Sequence, residues 1–124
     1  MRRILVVDDS PLIREAARIG LETVAGHSVE TAQSGEEAVA RAAAQRPDAI
    51  LLDVVMPGMD GPATLTALRA GAATRDVPVV MVTGLDAATH EPKLEELGAV
   101  GMIAKPFDPT RLAAQVAELL RWES

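Results

Sequence analysis

Five short aliphatic runs, separated by longer stretches of mixed polarity, set the rhythm of this chain. They span about Arg3 to Val7, Val29 to Ala32, Ala49 to Leu52, Val77 to Thr83 and Val100 to Ala104. Ala49-Ile50-Leu51-Leu52 shows no alternation, which is expected of a strand buried on both faces. Val29 to Ala32 is more polar and suits a sheet edge. Pro78 falls at the start of its run, where a missing N–H matters least.

The stretches between the runs carry helical spacing. From about Pro11, Ile13, Ala17, Leu21 and Val24 line one face, and Gly26 ends the segment. Asp9 or Ser10 can cap it, and Pro11 fits a first turn whose N–H would have no partner. Ser34 opens the next helix, with Glu36 and Glu37 at the positive end of its dipole. Ala38, Val39, Ala42 and Ala43 form its apolar face, and Pro47-Asp48 breaks it. A loop with Pro57, Gly58 and Gly61 leads to a short helix carrying Leu65 and Leu68. A further helix is expected from roughly Ala88 to Leu97, with Pro92 in its first turns and Gly98 as its stop. The last runs from Pro109 to about Arg121, with Leu112, Val116, Leu119 and Leu120 facing inward. Strand and helix alternate throughout, which predicts a three-layer, doubly wound (βα)5 architecture around one parallel sheet.

The polar residues that follow the runs carry the chemistry. Val6-Val7 leads into Asp8-Asp9, Leu51-Leu52 into Asp53, Met81-Val82 into Thr83, and Ile103-Ala104 into Lys105. In neighbouring parallel strands these carboxyl ends share one sheet edge, where ligands of such folds bind. Three carboxylates would then meet a hydroxyl and an ammonium. Two carboxylates about 4 Å apart repel by roughly 4 kcal/mol at an effective dielectric near 20, so the cluster points to a divalent cation. Asp8 and Asp9 are expected to cost stability without that metal. Each residue alone has a plainer reading: Asp8-Asp9 as caps, Asp53 as a turn residue, Thr83 as a strand residue and Lys105 as a solvated lysine. Arg2-Arg3, His27 and His90 are read as exposed, solvated groups.

Composition narrows the function classes. A chain of 124 residues fits one domain, 1–124, and 48% hydrophobic residues can fill a core. A net charge of −6, with Phe107 and Trp122 as the only aromatics, argues against nucleic acid, which asks for a basic face and stacking rings. No cysteine is present, which excludes disulfides and thiolate metal sites. The longest apolar runs fall far short of the roughly 20 residues of a membrane span. No secretory signal precedes the first run, so a soluble, cytoplasmic protein is expected.

Taken in order, Val6-Val7-Asp8-Asp9-Ser10, Leu52-Asp53 with Met56-Pro57-Gly58-Met59-Asp60-Gly61, Val82-Thr83-Gly84, Gly98-Ala99 and Ala104-Lys105-Pro106-Phe107 resemble the receiver domain of two-component response regulators. The similarity runs from about Arg3 to Leu120. It implies a CheY-like, flavodoxin-like sheet of order 2-1-3-4-5. By the same resemblance, Asp53 is the phosphoryl acceptor, and Asp8, Asp9 and Asp53 hold Mg²⁺ with the backbone carbonyl of Val55. Thr83 and Lys105 receive the phosphoryl oxygens. A cis bond before Pro106 would aim the ammonium back over the sheet edge. Mg²⁺ suits such a set because it prefers carboxylate, phosphate and water oxygens.

The implied function is a signalling switch in a histidine-to-aspartate phosphorelay, not an enzyme. Its donor is a phosphohistidine on a sensor kinase or histidine phosphotransfer protein. Output is expected through a separate downstream protein, with the chain a monomer or a phosphorylation-dependent dimer. Two positions depart from the family. Met102 stands where a switch aromatic is usual, three residues before Lys105, so an altered output surface is expected around the fourth and fifth helices and the fifth strand. Val55 and Leu85 are aliphatic where polar side chains can orient water, so a long-lived phosphoryl-aspartate is expected. Three rivals fit less well. A haloacid-dehalogenase-type phosphatase needs an acid two residues after its nucleophile, where this chain has Val55. A flavin carrier needs a Ser/Thr/Gly-rich phosphate loop in place of Asp8-Asp9-Ser10. A pseudo-receiver, an interaction module without phosphorylation, would have lost site residues that this chain keeps.

Overall fold

A computed structural model describes residues 2–84 and 94–122. The strands are β1 (Arg3–Val7), β2 (Ser28–Ala32), β3 (Ala49–Asp53), β4 (Val79–Thr83) and β5 (Gly101–Ala104). All are parallel, in the order β2-β1-β3-β4-β5, which is the order implied by the resemblance. Helices α1 (Pro11–Ile19), α2 (Gly35–Gln45), α3 (Gly61–Ala70) and a last helix (Pro109–Leu120) cover the sheet. Ser10, Ser34, Asp60 and Asp108 cap them through side-chain oxygens that accept backbone N–H bonds. Among the described residues, no helix is long and apolar enough to cross a membrane.

Successive strand residues point to opposite faces, and the core divides accordingly. Leu5, Ile50, Leu52, Val79 and Met81 pack with Ala38 and Ala42 of α2 and Leu65 and Leu68 of α3. Ile4, Val6, Leu51, Val80, Val82 and Ile103 pack on the other side with Ala17, Leu21, Leu112 and Val116. Both faces of β3 are thus covered, which is why its sequence does not alternate. At the sheet edge, β2 buries only Ala32.

Several boundaries differ from the sequence expectations. β4 begins at Val79 rather than Val77, because Val77 N–H turns back to the Thr74 carbonyl (3.1 Å) and Pro78 has no N–H to give. β5 begins one residue late at Gly101, and β3 extends one residue further to include Asp53. α1 does not continue regularly to Gly26; it widens after Ile19 into a π turn over Gly20–Val24. Gly20 lies against the last helix, where an added Cβ would stand 2.3 Å from the Pro109 carbonyl oxygen. Leu21 stays buried, but the wider turn carries Val24, expected inside, out to the surface. In α2, Ala43 is also exposed rather than on the buried face. Residues 94–96 form a helical turn ending at Gly98 (φ +106°). The first part of the helix expected over Ala88 to Leu97, with Leu85 and His90, lies outside the described residues.

At the amino end of the sheet, Arg3 N–H donates to Asp48 Oδ2 (2.7 Å) while Asp48 N–H returns a bond to the Arg3 carbonyl (2.7 Å). His27 is not simply solvated. It is half-buried, its ring edge against Trp122 at 5.6 Å, and its Nδ1 accepts the Arg2 N–H at 3.1 Å. The Arg2 guanidinium lies 4.8 Å from the centre of the same indole, a cation–π arrangement that gives this arginine a packing role.

Candidate functional site

Strand register assembles the site. Val7 pairs with Leu52, so the residues that follow, Asp8 and Asp53, leave adjacent strands at the same level. Asp53 pairs with Val82, and Thr83 with Ala104, which brings Thr83 and Lys105 to the same edge. Backbone bonds continue the ladder: Asp8 N–H to Ala32 (3.1 Å), Val54 N–H to Val82 (3.0 Å) and Lys105 N–H to Thr83 (2.7 Å). The Lys105–Pro106 peptide is cis. Lys105 Nζ lies 2.8 Å from Asp8 Oδ2 and 3.1 Å from Asp53 Oδ1.

Asp8, Asp9 and Asp53 each bring one carboxylate oxygen within 4.8 Å of the others. Asp8 and Asp53 are buried (2% and 4% exposed), whereas Asp9 faces solvent. Asp8 Oδ1 accepts Ser10 N–H at 2.9 Å, and Asp53 Oδ1 accepts Val55 N–H at 3.3 Å. Burial raises the Asp53 pKa above its ordinary value and the Asp8 charge adds to this, against the opposing pull of Lys105 and the Val55 N–H. For Lys105, burial is the largest single influence and acts downward. Its bonds and charge attraction to Asp8 and Asp53 together outweigh burial and raise its pKa.

Three carboxylates facing one ammonium leave an excess of negative charge in a partly desolvated pocket. The donors are hard oxygens, one of them exposed, which fits a divalent cation that keeps part of its water shell. Asp8, Asp9 and Asp53 therefore suit Mg²⁺. The Val55 N–H bond holds that residue's backbone beside Asp53, while its side chain is 76% exposed. Thr83 is buried at the end of β4.

Two contributors were given no role at the site from sequence. Gly61 opens α3 against the backbone after Asp53: a Cβ there would stand 2.5 Å from the Asp53 carbonyl oxygen and 2.6 Å from Val54 Cα. Only glycine allows that approach, and the placement of Asp53 depends on it. Arg14 Nη1 donates to the Asp8 carbonyl oxygen at 2.8 Å. The available signal was its position, one helical turn beyond the cap Ser10.

The sequence model of the response regulator receiver domain matches residues 4–117. The chain is 38% identical over 121 residues to the DNA-binding dual master transcriptional regulator RpaA of Synechocystis sp., covering 98% of this chain and 50% of that protein. It is 41% identical over 121 residues to the response regulator PleD of Caulobacter vibrioides, covering 98% of this chain and 26% of PleD. It thus spans about half or less of these curated relatives. Among solved structures, chemotaxis protein CheY4 of Vibrio cholerae superposes with a TM-score of 0.89 at 35% identity, covering 96% of this chain and 98% of that one.

Proposed function

The chain belongs to the response regulator receiver family, and on that premise we propose that Asp53 accepts a phosphoryl group from a phosphohistidine. The donor is a sensor histidine kinase or a histidine phosphotransfer protein. The carrying observation is the convergence of Asp8, Asp9 and Asp53 within 4.8 Å, with Lys105 bonded to two of them. An Asp53 carboxylate oxygen attacks phosphorus, and the new O–P bond forms as the N–P bond breaks. The bonding pair leaves on the imidazole nitrogen. Lys105 and the Thr83 hydroxyl serve the equatorial phosphoryl oxygens, where charge accumulates. Mg²⁺, when held by Asp8, Asp9, Asp53 and the Val55 carbonyl, neutralises charge between the two anionic partners. The result is a switch that changes state, with its own side chain as the substrate. The unit is a single receiver domain, 1–124, working in the cytoplasm.

Two features of this chain shape the output. Met102 lies partly buried against the core where the family switch aromatic is usual. Methionine adapts to many shapes, so the switched surface around β5 and the last helix is built differently from an aromatic rotamer flip. Spectra of the free and beryllofluoride-loaded protein test this, and a large family-like rearrangement there counts against it. The exposed, aliphatic Val55 cannot orient an attacking water, so the phosphoryl-aspartate is long-lived; a lifetime of seconds counts against that.

Intact mass after incubation with acetyl phosphate and Mg²⁺ tests the central reading. One added phosphoryl group is expected on the parent protein and none on Asp53→Ala. An unmodified parent, or an equally modified variant, overturns it and favours an interaction module that is not phosphorylated.

A further inference from the structure

Asp8 and Asp9 are consecutive, and side chains of consecutive residues in an extended strand point to opposite faces. Their carboxylates nevertheless approach within 4.8 Å of each other and of Asp53. β1 ends at Val7 and the chain bends at Asp9, so the two acids lie past the regular strand. The peptide joining them is a rigid plane, so whatever holds its carbonyl oxygen also fixes the direction in which Asp9 departs. The group holding it is Arg14, whose Nη1 donates to the Asp8 carbonyl at 2.8 Å. The main chain of Arg14 is fixed, because its N–H closes the first turn of α1 on the Ser10 carbonyl at 3.0 Å. The other attachments of Asp8 are the strand bond to Ala32 and the side-chain bonds to Ser10 and Lys105. None of these bears on the peptide plane from the carbonyl side.

We propose that Arg14 is a positioning residue for the divalent cation: its grip on the Asp8 carbonyl turns the two consecutive acids toward one ion. This rests on the cation reading of the site. Its sign separates it from simple electrostatics. A guanidinium near a cation site repels the cation, so charge removal alone would tighten Mg²⁺ binding. Loss of positioning weakens it, and removal of supporting groups around metal ligands typically costs about tenfold or more in affinity.

The test is Mg²⁺ titration by calorimetry of the parent protein, Arg14→Met, Arg14→Lys and Arg18→Met. Arg18 lies on the same helix and pairs with Glu15 and Glu22, so it controls for charge and for helix stability. The expected result is roughly tenfold weaker binding for Arg14→Met. Partial recovery is expected in Arg14→Lys, which keeps one donor, and parent-like affinity in Arg18→Met. Circular dichroism confirms folding before titration; if Arg14→Met does not fold, Arg14→Lys against the parent decides, with weaker binding expected. A parent that ignores Mg²⁺ overturns the cation reading and this inference with it. A parent that binds, alongside an Arg14 variant that binds as well or better, overturns this inference alone.

Discussion

The two ends of the sheet handle charge in opposite ways. At the amino end, polar groups find partners within the protein. Asp48 exchanges bonds with the Arg3 backbone, and Arg2 and His27 close on Trp122. Arg69 spends its guanidinium on the carbonyls of Arg75, Val77 and Gly98 (3.1, 2.8 and 2.8 Å). At the carboxyl end, three carboxylates gather, and Lys105 pairs with two of them, Asp8 and Asp53. One rim has its polar groups hydrogen-bonded or packed within the protein and serves stability. The other is left short of positive charge, which an incoming ion can supply.

That contrast can be broken most forcefully at Lys105. Lys105→Ala leaves Asp8 and Asp53 buried without their ammonium, at a cost on the order of 3 kcal/mol in the absence of metal. Added Mg²⁺ should restore much of that in chemical unfolding, and a variant indifferent to Mg²⁺ would argue that the rim is not a cation site. Gly61→Ala forces α3 away from the Asp53 backbone and should cost about 1–3 kcal/mol while slowing phosphorylation by acetyl phosphate. At the opposite rim, Asp48→Ala removes the acceptor of the Arg3 N–H and should cost about 1 kcal/mol by thermal unfolding. Phosphorylation should be unchanged there, and any loss would show that the rims are coupled.

The smallest effect expected is one of pH. With its pKa raised in the folded protein, Asp53 binds more protons folded than unfolded at pH values just above its ordinary 3.8. Stability without metal should therefore fall as pH rises through that window. Asp53→Asn should flatten this part of the curve and be slightly more stable than the parent at neutral pH. Unfolding measured across the window checks both, and a parallel curve for the variant would assign the slope elsewhere.

Much of the carboxyl rim was legible in sequence because parallel strands announce themselves as unbroken aliphatic runs. Four of the five runs then end at or just before Asp8, Asp53, Thr83 and Lys105, whatever the register. The strand order came through family resemblance, since hydrophobic periodicity does not say which run lies beside which. The π turn was hidden because Leu21 and Val24 continue a regular helical spacing. It begins at Gly20, which lies against Pro109 from a distant part of the chain. The amino rim was hidden for a related reason: Arg2, His27 and Trp122 are single residues with no spacing to link them. Arg14 drew no reading from sequence, and only the folded turn brings it to the Asp8 carbonyl.

The location of Trp122 has an optical consequence. As the only indole in the chain, it is the dominant intrinsic fluorophore, and it sits roughly 17 Å from the acidic rim, the length of a five-residue strand. Its emission should report the melting of the amino end and the titration of the neighbouring His27 ring. Loading of the acidic pocket should leave that glow almost unchanged, so a dye or a second tryptophan placed near Gly84 is the probe for watching the pocket fill.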